Sequence, residues 1–231
     1  MKDSNIYTLM QKSQYRNGTS NHLEHNENPD YWSILLGDLK DKDQWAGKTA
    51  LDFACGKGRN VTNMLSLCDW HRVDGVDISV GNIEYCKNSY QGQKSNWYLN
   101  NGIDVSCLQD NKYDFVMSTI ALQHIPVYEI RKNIISGILN CLKPNGVFSF
   151  QMGFGQGLLD PSGLNRPRSA YYDNAYTANG TNSSHDVRVQ SEEEIVEDLQ
   201  NIGFVEIETH IRNSFSDTGH PNWIYVKCRN K

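Results

Sequence analysis

The 231-residue sequence lacks three features that would each assign a class of protein. No apolar run approaches the length that spans a bilayer, and the N-terminus, Met-Lys-Asp-Ser-Asn, has no apolar signal core. The six cysteines form no C-x-x-C pair and no Cys/His grouping at zinc spacing. These absences argue against a membrane span and a zinc site, and they predict a cytoplasmic protein with reduced thiols and no metal.

The sequence also lacks a run of basic residues. Lysine and arginine together number 22 against 27 aspartates and glutamates, which gives a net charge of -5. Nucleic-acid binding depends on a positive surface that neutralises phosphates, so this composition argues against a nucleic-acid partner. The length and the hydrophobic fraction of 38% fit one folded domain with additions.

The N-terminal part differs in pattern from the rest of the chain. Residues 1–29 are polar and aperiodic, which predicts an arm without a core of its own. Asp30 fits an N-cap before apolar residues at helical spacing, which predicts a short helix to about residue 41. We therefore divide the chain into an arm with a cap helix, residues 1–44, and a main domain, residues 45–231.

Apolar runs alternate with helix-like stretches through the middle of the chain. Strands are predicted for the runs at residues 49–53, 72–76, 113–118 and 146–152, with a weaker strand at about 95–100. Helices are predicted at about residues 58–67, 80–90 and 127–142, the last one ended by Lys143-Pro144-Asn145-Gly146. Strands that alternate with helices predict a parallel sheet covered on both faces.

This alternation stops between residues 153 and 190, and a loop of that length in a compact domain is functional or disordered. Ser191 and Glu194 then form a capping box that starts a helix. Residues 205–211 and 223–228 follow as an antiparallel pair of strands. The expected fold is α/β: a mostly parallel seven-stranded sheet with helices on both faces and a C-terminal antiparallel strand pair.

A glycine turn between the first strand and its helix is the most informative segment. It reads Asp52-Phe53-Ala54-Cys55-Gly56-Lys57-Gly58-Arg59, and its glycines let the backbone approach a ligand at a helix N-terminus. Asp77 lies 25 positions after Asp52, at the end of the second strand, where an acid can accept ribose hydroxyls. Together they predict a nucleoside-containing cofactor. Val61 stands where the dinucleotide fingerprint needs a small residue, which disfavours nicotinamide and flavin cofactors.

The same turn resembles motif I of class I S-adenosylmethionine-dependent methyltransferases, written Asp-x-Gly-x-Gly-x-Gly. It departs from the motif at Ala54, which replaces the first glycine, and the matching residues are Asp52, Cys55, Gly56 and Gly58. Later segments resemble the family in the same order: 104–108 with 113–118, 121–126 and 142–147. The likeness covers about residues 45–152 and, more loosely, the C-terminal part. It implies a Rossmann-like fold and S-adenosylmethionine as the cofactor.

The resemblance also implies roles for particular residues. The turn would hold the methionyl part of the cofactor, and Asp77 would hold its ribose. Asp104 and the backbone of Val105 would flank the adenine. The expected cofactor contacts are Asp52, Ala54, Cys55, Gly56, Gly58, Arg59, Asp77, Ile78, Asp104, Val105 and Ser118. Arg59 is either a partner for the cofactor carboxylate or a surface residue.

Methyl transfer requires alignment of donor and acceptor, and a hydroxyl or protonated amine also needs a base. His124 follows the fourth strand at its carboxyl end, where ligands bind in such sheets, so it is the candidate base. It could instead only line the pocket. The loop at 153–190 is expected to recognise the acceptor, with an aromatic wall and two cations: Tyr171, Tyr172, Arg166 and Arg168. The alternative is that this loop is a solvated surface segment that does not bind the acceptor.

Three functions stay open from the sequence. A small-molecule methyltransferase acting on oxygen or nitrogen is favoured by the negative charge and by Ser118-Thr119-Ile120-Ala121, which stands where enzymes that methylate nucleic-acid bases have Asn/Asp-Pro-Pro-Tyr. An RNA or protein methyltransferase would need a partner for recognition. A non-catalytic S-adenosylmethionine-binding module would keep the motifs without transfer. We expect a monomer or homodimer that binds no nucleic acid and no membrane.

Overall fold

The computed structural model describes residues 31–37, 42–155, 174–175, 187–213 and 222–231. Its strands are β1 (Thr49–Phe53), β2 (Arg72–Asp77), β3 (Trp97–Leu99), β4 (Tyr113–Thr119), β5 (Leu142–Phe154), β6 (Asn174–Ala175), β7 (Val187–Arg188), β8 (Val205–Asn213) and β9 (Asn222–Arg229). Its helices are α1 (Tyr31–Leu36), α2 (Arg59–Leu67), α3 (Val80–Ser89), α4 (Tyr128–Cys141) and α5 (Glu192–Ile202), with 3-10 turns at Lys42–Trp45 and Leu122–His124. The predicted arm and the predicted acceptor contacts Tyr171, Tyr172, Arg166 and Arg168 lie outside the described residues.

Within the described residues, seven strands form one sheet in the order β3-β2-β1-β4-β5-β9-β8. Strand β9 is antiparallel to both of its neighbours, and the pairs from β3 to β5 are parallel. The predicted mostly parallel sheet with a C-terminal antiparallel pair is confirmed. Because β1, β2, β4 and β5 all run the same way, they end at one side of the sheet, which we call its carboxyl end.

Buried side chains alternate between the two faces of the sheet. Along β1, Leu51 and Phe53 share a core with residues of α4 and α5, whereas Ala50 shares a core with residues of α1, α2 and α3. Phe148 and Val147 of β5 divide between the same two cores. We call these sides the α4 face and the α2 face. Each fully buried Leu, Ile or Phe contributes about 1.5–3 kcal/mol, so both helical layers hold the sheet.

Helix α1 is shorter than the sequence predicts. It ends at Leu36, because Gly37 has φ of 88°, the left-handed conformation that closes helices. The Trp45 indole then donates to Leu36 O over 3.0 Å. The predicted continuation to about residue 41 is therefore wrong at Gly37, and residues 38–41 lie outside the described part of the chain.

The segment at residues 143–146 ends α4 at Cys141, as predicted, but it lies inside β5 and not before it. Tyr113 pairs with Leu142, and Phe115 pairs with Val147, so the intervening residues form a bulge. Asn145 has φ of 61° within this bulge. The strand begins earlier than predicted because Leu142 already finds a partner in β4.

Helix α5 begins with the predicted capping box. Ser191 Oγ accepts from the Glu194 N–H over 3.2 Å, and the Glu194 carboxylate accepts from the Gln190 N–H over 3.0 Å. Gly203 has φ of 119° and closes the helix. These local signals fix where α5 starts and ends, so β8 enters the sheet directly after it.

Candidate active site

The backbone of the turn between β1 and α2 favours glycine at three positions. The φ angle is 62° at Ala54, 54° at Gly56 and 82° at Gly58. The Cys55 N–H donates to Val76 O over 3.0 Å, which ties the turn to β2. Ala54 therefore holds, at an energetic cost, a conformation that glycine adopts freely. The turn keeps the geometry of a glycine-rich loop despite this substitution.

Packing also requires glycine at position 58. A Cβ atom there would lie 2.7 Å from Trp97 Cη2 and 2.9 Å from Tyr90 Cε2. The two rings stack with their centroids 5.5 Å apart, and the Tyr90 hydroxyl donates to Lys57 O over 3.0 Å. Trp97 also covers Gly75, where a Cβ would approach the indole to 2.5 Å. This aromatic pair fixes the position of the turn.

Asp77, at the end of β2, is bonded to the same turn. Its Oδ2 accepts from the Gly56 N–H over 2.9 Å, and its Oδ1 accepts from the Ser79 N–H over 2.8 Å and from Asn82 Nδ2 over 3.3 Å. Burial raises the pKa of Asp77, and these hydrogen bonds oppose the rise. The carboxylate is thus held in place at the carboxyl end, with Ile78 directly after it.

Asp52, at the carboxyl end of β1 on the α2 face, is 1% exposed. No hydrogen bond from the described residues reaches either of its carboxylate oxygens. Burial raises the pKa of Asp52 to about 8, and the nearby Arg59 charge opposes that rise. Burying an unpaired acid costs free energy, and such groups concentrate at functional sites. Asp52 therefore marks a place for a cationic or hydrogen-bond-donating ligand group.

Further polar side chains gather where β4 and β5 end. Asn60 Nδ2 donates to Thr119 Oγ1 over 3.0 Å, which joins α2 to β4 on the α2 face. Ser118 is fully buried, and its Oγ has no hydrogen-bond partner in the described part of the chain. The same holds there for the Oε1 atoms of Gln123 and Gln151, which are also buried. Buried polar atoms without protein partners are uncommon, so their gathering here indicates a binding site.

The chain leaves β4 through a strained residue. Ile120 has φ of 53°, which is rare for a β-branched side chain. The 3-10 turn Leu122–His124 follows and contacts β5 and β7. Within this turn, the His124 N–H donates to Ala121 O over 2.9 Å. His124 is half-buried. Backbone strain is common at functional sites, and here it directs the chain to His124 just beyond β4.

The turn after β3 is held by its own residues. Asn100 Nδ2 donates to Asp104 O over 2.6 Å, and hydrogen bonds from Ser106 lower the pKa of the Asp104 carboxyl. Val105 is buried against α4, where a Cβ on Gly137 would lie 2.4 Å from its side chain. Its side chain therefore belongs to the core, which leaves the backbone to face a ligand.

The structure brings the predicted cofactor contacts to one end of the sheet. Asp52, Asp77 and Ser118 lie in the last two residues of β1, β2 and β4. The other contacts follow strands β1, β2 or β3: Ala54, Cys55, Gly56, Gly58, Arg59, Ile78, Asp104 and Val105. Several buried polar residues at this end are not among the predicted contacts, including Asn60, Thr119, Gln123 and Gln151. Asn60 and Thr119 each adjoin a predicted contact in the sequence, which was the available signal. Gln151 has no such neighbour.

Two absences apply to the described residues. They contain no group of three or more His, Cys, Asp or Glu side chains that could hold a metal ion. None of the described helices is long and apolar enough to cross a bilayer.

Residues 51–150 match a family model described as a methyltransferase domain. A S-adenosylmethionine-dependent methyltransferase from Methanosarcina mazei has a similar structure, with a TM-score of 0.61 at 19% identity, over 81% of this chain and 95% of that chain. A search of curated proteins finds no match. The family match spans the segment from β1 to β5, which carries the glycine turn and Asp77.

Two further solved structures with bound cofactor or product share the fold. The 1,6-didemethyltoxoflavin-N1-methyltransferase of Burkholderia thailandensis has a TM-score of 0.69 at 15% identity, over 100% of this chain and 89% of that chain. Phosphoethanolamine N-methyltransferase 2 of Haemonchus contortus has a TM-score of 0.61 at 18% identity, over 99% of this chain and 57% of that chain.

The sheet order and the glycine turn define a Rossmann-like fold, and the segment that carries them is the one that matches a methyltransferase domain. Over residues 51–150 the chain matches the methyltransferase-domain family, and the solved structures that share its fold include S-adenosylmethionine-dependent methyltransferases.

Proposed function

We propose that this chain is an S-adenosylmethionine-dependent methyltransferase that transfers the methyl group to an oxygen or nitrogen of a small molecule. The observation that carries the proposal is a pair of buried amide oxygens without partners in the described residues, Gln123 Oε1 and Gln151 Oε1, which lie outside the set assigned to the cofactor. Because these atoms are buried, a small acceptor that enters between the side chains can bind them, whereas a broad macromolecular surface cannot.

The residues of the glycine turn fit the methionyl part of the cofactor. S-adenosylmethionine carries an ammonium group and a sulfonium, and the buried Asp52 carboxylate supplies a compensating charge. The first N–H groups of α2 have no partner within the helix and suit a carboxylate, and Arg59 is at the same helix start. Because Asp52 is buried, its ionised form is unfavourable in the empty site and is stabilised when the cofactor ammonium binds beside it.

Asp77 fits the ribose and the turn after β3 fits the adenine. The Asp77 carboxylate is oriented by the Gly56 and Ser79 N–H groups and keeps lone pairs for ribose hydroxyls. Asp104 and the backbone of Val105 follow β3, which is next to β2 in the sheet. These assignments agree with the order of the strands across the carboxyl end.

When bound, the cofactor supplies a methyl group already activated by the positive charge on sulfur. The protein's own residues then position the acceptor and exclude water. His124, in the turn beyond β4, is the proposed base that takes a proton from a hydroxyl or ammonium acceptor. We expect His124→Gln to lower kcat by about 10²–10⁴-fold if it is the base. An unchanged kcat would assign it to the pocket wall.

The acceptor contacts in the loop at 153–190 stay predictions, as do the cytoplasmic location and the monomeric or homodimeric state. These contacts are Tyr171, Tyr172, Arg166 and Arg168. The net charge of -5 supports an acceptor other than a nucleic acid.

Calorimetry of S-adenosylmethionine and S-adenosylhomocysteine binding tests the cofactor site. Asp77→Asn removes the charge and one acceptor oxygen, so we expect affinity to fall about tenfold or more. The control is Asp69→Asn, because Asp69 is exposed and pairs only across the surface with Lys94 at 3.2 Å. Equal binding by all three proteins would contradict the role of Asp77.

The acceptor class is tested with labelled S-adenosylmethionine and three pools: small amines and alcohols, total RNA, and denatured cell protein. Transfer to a small molecule supports the proposal. Transfer only to RNA or protein, or only with a co-purified partner, contradicts it. Intact cofactor binding without transfer to any pool would favour a non-catalytic binding module.

A further inference from the structure

A row of polar and aromatic side chains crosses the α2 face at the carboxyl end of the sheet. Thr119 pairs with Gln151, Gln151 with Tyr225, and Tyr225 with His210. Tyr225 belongs to the α2-face core, and residues paired directly across a sheet share a face. Thr119 accepts from Asn60 at the start of α2, so the row begins beside the cofactor turn and leads away from it.

A second row lies two residues further along the strands, on the same face. It contains two arginines and, at Gly153, a position without a side chain, which we call the gap. Trp223 pairs with Gly153 of β5 on one side and with Arg212 of β8 on the other. Arg188 lies beyond Gly153, because the residues that follow each of them form a parallel bridge. Adjacent strands are about 4.8 Å apart, so the row from Arg188 to Arg212 spans about 14 Å. Gly153 leaves the place between Arg188 and Trp223 without a side chain.

Arg188 is directed to the α2 face and is only 3% exposed. Its neighbours Val187 and Val189 pack into the α4-face core, and side chains alternate along a strand. Arginine is rarely this buried unless negative charge balances it. A guanidinium carries several N–H donors, so Arg188 can bind a group of the protein and still donate to a ligand.

Arg212 lies on β8, at the opposite end of the second row from Arg188. Its Cζ lies 5.9 Å from the centroid of the Tyr225 ring, so its guanidinium reaches back over the first row. Trp223 and Tyr225 are both buried in the α2-face core, and their positions in the two rows lie between those of the two arginines. Guanidinium groups match the planar oxygens of carboxylates and phosphates, often through paired hydrogen bonds.

Gln151 connects the arginine row to the cofactor turn. It is 4% exposed, and its Oε1 has no hydrogen-bond partner in the described residues. An amide oxygen needs a donor, which an amine or hydroxyl group supplies and an anion does not. A ligand that satisfies both rows therefore carries its donor near Thr119 and its negative charge near Gly153.

We propose that the methyl acceptor binds across these two rows and carries a carboxylate or a phosphate that Arg188 and Arg212 hold above Gly153. Its amine or hydroxyl donates to Gln151 Oε1, on the side toward the cofactor. This inference rests on the proposed function and narrows its acceptor to an anionic amine or alcohol.

Anion binding tests the inference without knowledge of the true acceptor. Sodium phosphate and sodium acetate are titrated separately into the full chain saturated with S-adenosylhomocysteine, at constant ionic strength, and binding is followed by NMR. We expect saturable binding of at least one anion, and a dissociation constant about tenfold or more higher in Arg188→Gln and Arg212→Gln. The control is Arg229→Gln, because Arg229 is at the other end of β9, exposed and paired with Glu206 at 2.9 Å.

The outcomes separate the sources of the anion and the two proposals. Phosphate binding alone indicates a phosphorylated acceptor, and acetate binding indicates a carboxylated one. No saturable binding, or equal binding by wild type and both arginine variants, overturns the inference. Loss of S-adenosylhomocysteine binding in the wild type would instead count against the proposed function. If Arg188→Gln fails to fold by circular dichroism, the half-buried Arg212 carries the test.

Matched acceptors give a second readout. Phosphoethanolamine is compared with ethanolamine, and histidine with histamine, as acceptors of labelled methyl groups. For a methylated anionic member, Arg212→Gln should raise KM about tenfold with little change in kcat, because the anion is held away from the reacting atoms. Preference for the member without the anionic group in both pairs would overturn the inference.

Discussion

Asp74 and Asp52 lie on neighbouring strands, β2 and β1, and are both buried, with exposed fractions of 0% and 1%. Asp74 Oδ2 accepts from Lys112 Nζ over 2.7 Å and from the Tyr113 hydroxyl over 3.0 Å, and its Oδ1 accepts from the Asn96 N–H over 2.9 Å. Within the described residues, no comparable hydrogen bond reaches Asp52. Two acids with the same burial thus have opposite surroundings.

The difference separates a structural acid from an acid at a binding site. Asp74 is compensated by the protein, and burial together with its charge raises the pKa of Tyr113, which keeps that hydroxyl a donor. Asp52 is on the other face of the sheet, beside the glycine turn, where Arg59 and Asn60 offset its burial only in part and a cationic ligand group can add the rest. Because unpaired buried charge is costly, burial alone says less about function than the donors around the acid.

Replacing Asp74 should cause the largest loss of stability. Asp74→Ala leaves the Lys112 ammonium and the Tyr113 hydroxyl without their acceptor, and breaking such a buried pair costs about 3–5 kcal/mol. The free energy of unfolding is measured with denaturant. Asp69→Ala, which removes only the exposed pair with Lys94, should cost less than about 1 kcal/mol. Similar losses in both variants would contradict the structural role of Asp74.

The next largest effect is expected on the Asp52 side, at the glycine turn. Gly58→Ala places a Cβ against Trp97 and Tyr90 and also forces alanine into a left-handed φ. We therefore expect the free energy of unfolding to fall by about 2–4 kcal/mol and cofactor binding to be lost. Gly92→Ala isolates the backbone cost, because Gly92 has φ of 79° and open space around it. That variant should lose about 1 kcal/mol and bind cofactor normally. Equal losses of stability in Gly58→Ala and Gly92→Ala would mean that Trp97 and Tyr90 move to accommodate the added Cβ.

Most of the fold was predictable from local signals, whereas the cofactor contacts stay predictions. Strand β1 matches its predicted bounds because a buried apolar run ends directly at the glycine turn. The capping box and the glycine after α5 placed that helix correctly. The bulge in β5 was not predictable, since it depends on which β4 residue pairs with Leu142. Local turn chemistry marked the end of α4 but not the start of the next strand.

The acceptor half depends on contacts between distant parts of the sequence. Thr119 meets Asn60, which is 59 positions earlier. Gln151 and Arg188 come together only because the residues after β7 bridge to β5. Neither residue belongs to a motif, and a lone Gln or Arg in a sequence is an ordinary surface residue. Their role is visible only after the strands are paired and the faces assigned.

The pH dependence of stability offers a third way to separate the two acids. The pKa of Asp52 is about 8 in the fold and about 3.9 in an unfolded chain, so folding takes up a proton between these values. The free energy of unfolding should therefore fall as pH rises from about 4 to about 8, by at most about 1.4 kcal/mol per pH unit. Asp52→Asn should lack this part of the slope and exceed the wild type in stability near pH 8.

The cofactor should reverse the advantage of that variant. A bound ammonium favours ionised Asp52, so saturating S-adenosylmethionine should flatten the wild-type pH slope. Asp52→Asn should bind the cofactor about tenfold more weakly at pH 8. Parallel stability curves for the two proteins without cofactor would show that Asp52 does not titrate in this range.

The smallest effect is expected at Ala54, two residues after Asp52. Its φ of 62° suits glycine, so Ala54→Gly should relieve strain and raise the free energy of unfolding by up to about 1 kcal/mol, with cofactor affinity retained. Ala50→Gly in the buried strand β1 is the matched control, and it should lower stability because glycine weakens a strand and removes a packed methyl group. Opposite signs for the same substitution four residues apart would show that the turn, unlike the strand that leads into it, is held in its shape against the preference of its own sequence. Loss of stability in both variants would mean that the alanine methyl at position 54 contributes more by packing than its backbone conformation costs.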